Sequence, residues 1–324
     1  MNQEMIVKIE EMVASGKITM EQKETLLKAL EEINQNDVIT KNELTTSDKD
    51  SHELNVQLVD EDIELIGNNE STEVEIIKGA ELVDVTKSEN SILIQTKKEN
   101  TGIIKQLFKS HEILRQKNGI IIHHKSNEDE VIIHLPKNMK SRIKTVSGDI
   151  QIQNLLGEIT VKSVSGDITL KSHNNKASLH SISGDIQIQE MRGTLECTSK
   201  SGDITIKLAD IKGEVKTYSG DIQFNSSTLA NMEISVFSGD IAMEQTSCGQ
   251  LIQCKTFSGD MDLELTNSKG FVKGATTSGE MELINSERAI IDLANHEYGD
   301  PGCSLQIQLK TLSGDAKISF TKEE

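Results

Sequence analysis

One tripeptide constrains this chain more than any other feature. Ser-Gly-Asp begins at Ser147, Ser165, Ser183, Ser201, Ser219, Ser238, Ser258 and Ser313, and Ser-Gly-Glu begins at Ser278. In chain order these serines stand 18, 18, 18, 18, 19, 20, 20 and 35 residues apart. Tyr298-Gly299-Asp300 reads as a degenerate copy inside the last interval, which makes about ten copies of one unit. A period near 18 is too short for a helix pair, so the repetition implies a solenoid whose repeats bury a core only by stacking.

Alignment on the serine shows what stacks. Three residues past it stand Ile150, Ile168, Ile186, Ile204, Ile222, Ile241, Met261, Met281 and Ala316; five past it, the column runs from Ile152 and Leu170 to Leu283 and Ile318. Both columns are apolar, and Gln151, Thr169, Gln187, Thr205 and Gln223 lie between them. That alternation is the period of a strand with one dry face. A second strand precedes the serine: four residues before it are mainly apolar positions such as Val161, Leu179 and Val215, and two before it are small, mostly hydroxylated ones such as Ser181, Ser199 and Thr217. Each coil therefore reads as strand, Ser-Gly-Asp corner, strand and a looser return. The expected fold is mainly β, a parallel β-solenoid (single-stranded β-helix) of about ten coils of 18 to 20 residues, preceded by a small α-helical hairpin.

The hairpin is read over residues 1–33. Ile6, Ile9 and Val13 mark one apolar face, Leu26, Leu27 and Leu30 another. Gly16 suits the end of the first helix, and Thr19 with Gln22 fits a capping box at the start of the second. So small a pair cannot bury both stripes alone, so it should dock on the solenoid, a second copy or a partner. The first reading makes those six residues an interaction surface for a partner or a second copy; the alternative is docking within the chain. Residues 34–53 read as a flexible polar linker, 54–145 as an irregular β opening that covers the edge of the solenoid, and 146–324 as the repeats. Within the opening, Lys97, Lys98, Lys105, Lys109, Arg115, Lys117 and Lys125 crowd a basic segment around Ile104, Leu107 and Phe108. It reads first as a surface insertion; the alternative is peripheral contact with an anionic membrane.

Composition narrows the function. A net charge of -18 disfavours nucleic acid, because phosphate binding wants a basic surface. Aromatics at 2% with no Trp suit a narrow solenoid core. No signal-peptide pattern or membrane-spanning apolar run is visible, so a cytoplasmic location is expected, at most peripheral at the inner face of the cell membrane. Cys197, Cys248, Cys254 and Cys303 lack metal-site spacing, and Cys197 and Cys254 fall in an inward column. No histidine pair, serine elbow or phosphate loop appears, so no catalytic residue and no cofactor is assigned. Asp149, Asp167, Asp185, Asp203, Asp221, Asp240 and Asp260 should form one row. Its primary reading is a set of turn carboxylates accepting backbone hydrogen bonds; a calcium ladder is the alternative. Asp262, Glu264 and Glu282 make an outward acidic patch, the one place a β-helix polysaccharide enzyme would be sought.

The unit Thr145-Val146-Ser147-Gly148-Asp149-Ile150-Gln151-Ile152 and the approach Val131-Ile132-Ile133-His134-Leu135-Pro136 resemble the bacterial adhesin-like β-solenoid family called Toastrack, over roughly residues 54–320. Gly16-Lys17-Ile18-Thr19-Met20-Glu21-Gln22 with Leu26-Leu27 resembles the short bihelical module, SHOCT-like, that often precedes that domain. The resemblance implies a non-enzymatic scaffold in a Gram-positive envelope-stress assembly of the phage-shock type. Its expected partners are proteins, membrane-bound stress-response proteins among them, with self-association into a homo-oligomer also expected. The alternatives are an exported adhesin or carbohydrate-binding rod and, further off, a polysaccharide lyase or hydrolase.

Overall fold

The computed structural model describes residues 53–321 apart from 70, 89, 98–114, 117–119, 123–129 and 268. The hairpin expected over 1–33, the linker and most of the basic segment lie outside the described residues. Every regular element among the described residues is a strand. The chain divides into two units, residues 1–150 with 159–166, and residues 151–158 with 167–324.

In the second unit the alternation read from the sequence becomes parallel pairing in register. Ile186 lies between Ile168 and Ile204, which in turn meets Ile222 and then Ile241. All five are wholly buried, whereas Gln187 points to solvent. Before each corner, Cys197 pairs with Leu179 and Val215, and the hydroxyl column is buried with it. A hydroxyl in that column can tie the strand to its own corner, as Ser181 Oγ does by accepting the Gly184 N–H at 2.9 Å. Burial of Cys197 and Cys254 raises their thiol pKa values, and that of Cys248 is pushed up to about 12, so all three are inert thiols in the core.

The corner glycines are required for two reasons. At Gly202 a Cβ would stand 2.4 Å from the carbonyl oxygen of Gly184 in the preceding coil, so contact alone excludes a side chain. Gly220 adds a φ of 139° to the same 2.4 Å approach, a conformation that residues with a side chain rarely adopt.

The return expected to be loose is instead a second regular corner. Seven residues past the serine, Ser172, Glu190, Leu208, Ser226 and Gln245 all take a left-handed backbone, with φ between 48° and 56°. Backbone N–H groups at this corner pair onward; Leu208 N donates to Asn225 O at 3.1 Å and Ser226 N to Glu244 O at 3.0 Å. None of the five is a glycine, so pairing between coils imposes a conformation that residue type does not announce.

Two departures from the sequence-based expectation concern order. The last repeat does not stack last. Gln306–Ser313 lies in parallel between the Leu251 to Ser258 part of Ile241–Ser258 and Phe271–Ser278. Ala316–Phe320 lies likewise between Met261–Leu265 and Met281–Ile284. The degenerate copy at Tyr298 forms no parallel coil: Glu297–Tyr298 runs antiparallel to Phe271–Ser278, and Ile290–Asp292 antiparallel to Met281–Ile284. These short antiparallel strands cover the edge of the parallel ladder, which a terminal coil would have left open.

The first unit follows a similar plan. Glu53–Gln57 is parallel to both Ser91–Thr96 and Lys140–Lys144, so the first strand is internal and does not cover an edge as expected. Antiparallel Val83–Lys87 lies against Ser91–Thr96. Buried Glu61 ties this turn together, its Oε2 accepting the Thr96 hydroxyl at 2.8 Å and the Val59 N–H at 3.1 Å.

Three outcomes follow from this packing. Ile204→Asp should cost about 4 kcal/mol or more, because it places an unpaired charge in a dry column, whereas Gln187→Asp should stay within about 0.5 kcal/mol; urea denaturation measures both. Leu208→Asn should stabilise by about 1 kcal/mol, since it relieves a left-handed leucine that is also 54% exposed. His173 is wholly buried, its Nδ1 2.8 Å from Leu155 O, and burial holds its pKa below the ordinary value. The unfolded chain therefore takes up a proton there first as pH falls. Stability should be complete above about pH 6.5 and decline below it until the folded ring also titrates. In His173→Gln the decline should be shallower across that window, as read from melting temperature against pH.

Candidate interaction surface

The Asp row of the second unit is a hydrogen-bonded ladder. Asp185 N donates to Asp167 Oδ1 at 2.8 Å, Asp203 N to Asp185 Oδ1 at 2.9 Å and Asp221 N to Asp203 Oδ1 at 2.8 Å. Asp240 and Asp260 continue it, after which it passes to Asp315 and ends at Glu280 N on Asp315 Oδ1. In the first unit Asp149 N donates to Asp62 Oδ1 at 2.9 Å, so that ladder begins on a residue outside the repeat pattern. Carboxylates stacked about 4.8 Å apart repel by roughly 1 kcal/mol in water, and the N–H received by each Oδ1 offsets that repulsion. Each side chain spans to the next coil instead of closing its own turn. Among the described residues no group of three or more His, Cys, Asp or Glu side chains could hold a metal ion.

The outward acidic patch is broken by the inserted last coil. Lys317 lies between Asp262 and Glu282, paired in register with both. The two carboxylates thus stand two coils apart with a lysine between them, while Asp262 and Glu264 share the exposed face of Met261–Leu265.

The position immediately before the serine carries a feature that the alternation of the repeat does not reveal. It is buried at Val146 and Val164, but farther along it holds Tyr218, Phe237, Phe257 and Leu312, which are 60%, 41%, 47% and 40% exposed. Tyr218 and Phe237 stack with ring centroids 4.5 Å apart and planes 4° from parallel; Phe237 and Phe257 stack at 4.6 Å and 9°. Leu312 continues the line because Ser313, not Ser278, is the neighbour of Ser258. The signal is present in the sequence as aromatic residues at one position of successive repeats. It is obscured because the same position varies in earlier copies, being buried at Val146 and Val164, half-buried at Ile182 and an exposed lysine at Lys200.

Two charged columns flank this ridge. Two residues before it, on the same outward face, stand Lys216, Ser235, Lys255 and Lys310, in register. Lys255 Nζ bonds Glu233 Oε1 at 2.9 Å and, by that hydrogen bond first, holds the Glu233 carboxyl below the usual carboxylate range. Lys216 pairs with Glu214. Three residues after the ridge comes the carboxylate row, so an exposed apolar line runs between lysines and aspartates.

The six hairpin residues expected to recruit a partner, Ile6, Ile9, Val13, Leu26, Leu27 and Leu30, lie outside the described residues. A groove of about 700 Å³, lined by Ser226, Ser227, Thr228, Ser247, Glu264 and Thr266 among others, is hydroxyl-rich and carries a single carboxylate.

No curated protein matches this chain. A solved structure described as a "putative cell adhesion protein", from Clostridium sporogenes, aligns over 83% of this chain and 93% of its own, at 11% identity and a TM-score of 0.17. The sequence pattern of the Toastrack DUF4097 family matches residues 51–319, most of the chain. That match agrees with the repeat unit and the β-only architecture described above, and the chain belongs to the Toastrack DUF4097 family.

Proposed function

We propose that this chain is a non-enzymatic interaction scaffold, in which the stacked coils hold a fixed surface toward a binding partner. The aromatic ridge carries the reading. Of six Phe and two Tyr, three are stacked in solvent, where apolar rings in a contiguous line mark an interaction site more often than chance exposure. The ladder beneath makes that line rigid, so little conformational entropy is lost when it is covered. A carbohydrate platform fits less well, because sugars stack on ring faces and here neighbouring rings occupy those faces.

The cellular setting comes from the resemblance of residues 16–27 to a bihelical module found in envelope-stress proteins. On this reading the chain works beneath the cell membrane, with the hairpin as a recruiting module for a membrane-bound partner. A linker of about twenty residues spans roughly 25 Å on average, enough to let such a module reach a neighbour.

The test is a pull-down from detergent-solubilised cells combined with fractionation, under envelope stress and without it. Leu27→Asp with Leu30→Asp should abolish partner capture and membrane association while leaving solenoid melting unchanged. Phe237→Ser with Phe257→Ser should weaken assembly without unfolding the protein. If both double variants assemble and fractionate like the parent, the scaffold reading fails.

A further inference from the structure

We infer that the aromatic ridge is the self-complementary face of a parallel dimer, occupied by the same ridge of a second copy of this chain. The inference rests on reading the ridge as a binding surface and names its partner.

The pattern across the ridge carries the argument. In successive coils the order along the chain is Lys216, Tyr218, Asp221; then Ser235, Phe237, Asp240; then Lys255, Phe257, Asp260; then Lys310, Leu312, Asp315. Each apolar side chain has a lysine or serine on one side and an aspartate on the other. Two such faces can meet in two ways. A two-fold axis parallel to the ridge lays ridge on ridge and brings the lysine column of each copy over the aspartate row of the other. An axis lying across the ridge sets lysines on lysines and aspartates on aspartates. Only the first arrangement covers the rings and pairs the charges, and it is an isologous contact of the kind closed dimers use.

Other occupants fit worse. Anionic lipid and nucleic acid would be repelled by the carboxylate row along one flank of the ridge, Asp221, Asp240, Asp260 and Asp315. A basic amphipathic helix satisfies the aspartates but meets the lysine column along its other flank. The patch is short, four apolar side chains in line, which places the interface at the small end of specific contacts, where association is weak and reversible. The dimer should therefore dissociate in the micromolar range.

Sedimentation equilibrium of the full chain tests the association. The parent should show a concentration-dependent dimer, Phe237→Ser with Phe257→Ser should be monomeric with unchanged melting, and Leu27→Asp with Leu30→Asp should still dimerise. Cross-linking tests the geometry. In a Cys303→Ser background, where Cys197, Cys248 and Cys254 are buried, Tyr218→Cys and Leu312→Cys should each form a disulfide with itself on mild oxidation. A monomeric parent overturns the inference, as does a dimer that survives loss of Phe237 and Phe257. Cross-linking only when the Tyr218→Cys and Leu312→Cys proteins are mixed shows the antiparallel arrangement and overturns it too. If the parent is monomeric but the ridge variant loses the partner captured from cells, the dimer fails while the scaffold reading stands; if capture is also unchanged, the ridge fails as a binding surface of either kind.

Discussion

Parallel pairing in register between coils about 4.8 Å apart governs most of what is distinctive in this protein. Because equivalent positions meet, whatever one repeat places at a position must tolerate its own likeness as a neighbour. Isoleucine does so by burial. Glycine does so at the corner, where Gly202 approaches Gly184 O too closely for a side chain. Aspartate does so only because Oδ1 accepts the N–H of the next aspartate, turning a row of like charges into a hydrogen-bonded ladder. The aromatic ridge is the same rule applied to rings, which stack because the coils beneath them stack.

A parallel ladder leaves an open edge wherever it stops, and this chain manages the problem by exchanging order. In the second unit the last coil is placed inside the ladder, and short antiparallel strands from residues 290–298 take the exposed position. In the first unit the opening strand is likewise internal, with an antiparallel strand against its neighbour. Coverage by antiparallel segments blunts a surface that would otherwise recruit further strands without limit.

The insertion also alters chemistry and surface together. It sets Lys317 between Asp262 and Glu282, breaking an acidic patch that looks continuous in the sequence. It sets Leu312 beside Phe257, lengthening the apolar line by one coil. A single topological choice thus changes the charge pattern of one outward column and extends another.

Residue order is enough to establish the repeat, the alternation of buried and exposed positions and the Ser-Gly-Asp corner. Each of those is local: a period of two, a glycine, a run of like residues. Coil order belongs to the folded chain instead, because the sequences around Ser278 and Ser313 suit either place and the choice depends on which edge the 285–305 segment can cover. The left-handed corner at Ser172, Glu190 and Leu208 is likewise a product of folding, since no shared residue type marks a conformation that inter-coil hydrogen bonds enforce. The ridge stands between these cases. Its residues are legible at Tyr218, Phe237 and Phe257, but their exposure is not, since the same position is buried at Val146 and Val164 and only packing separates the two.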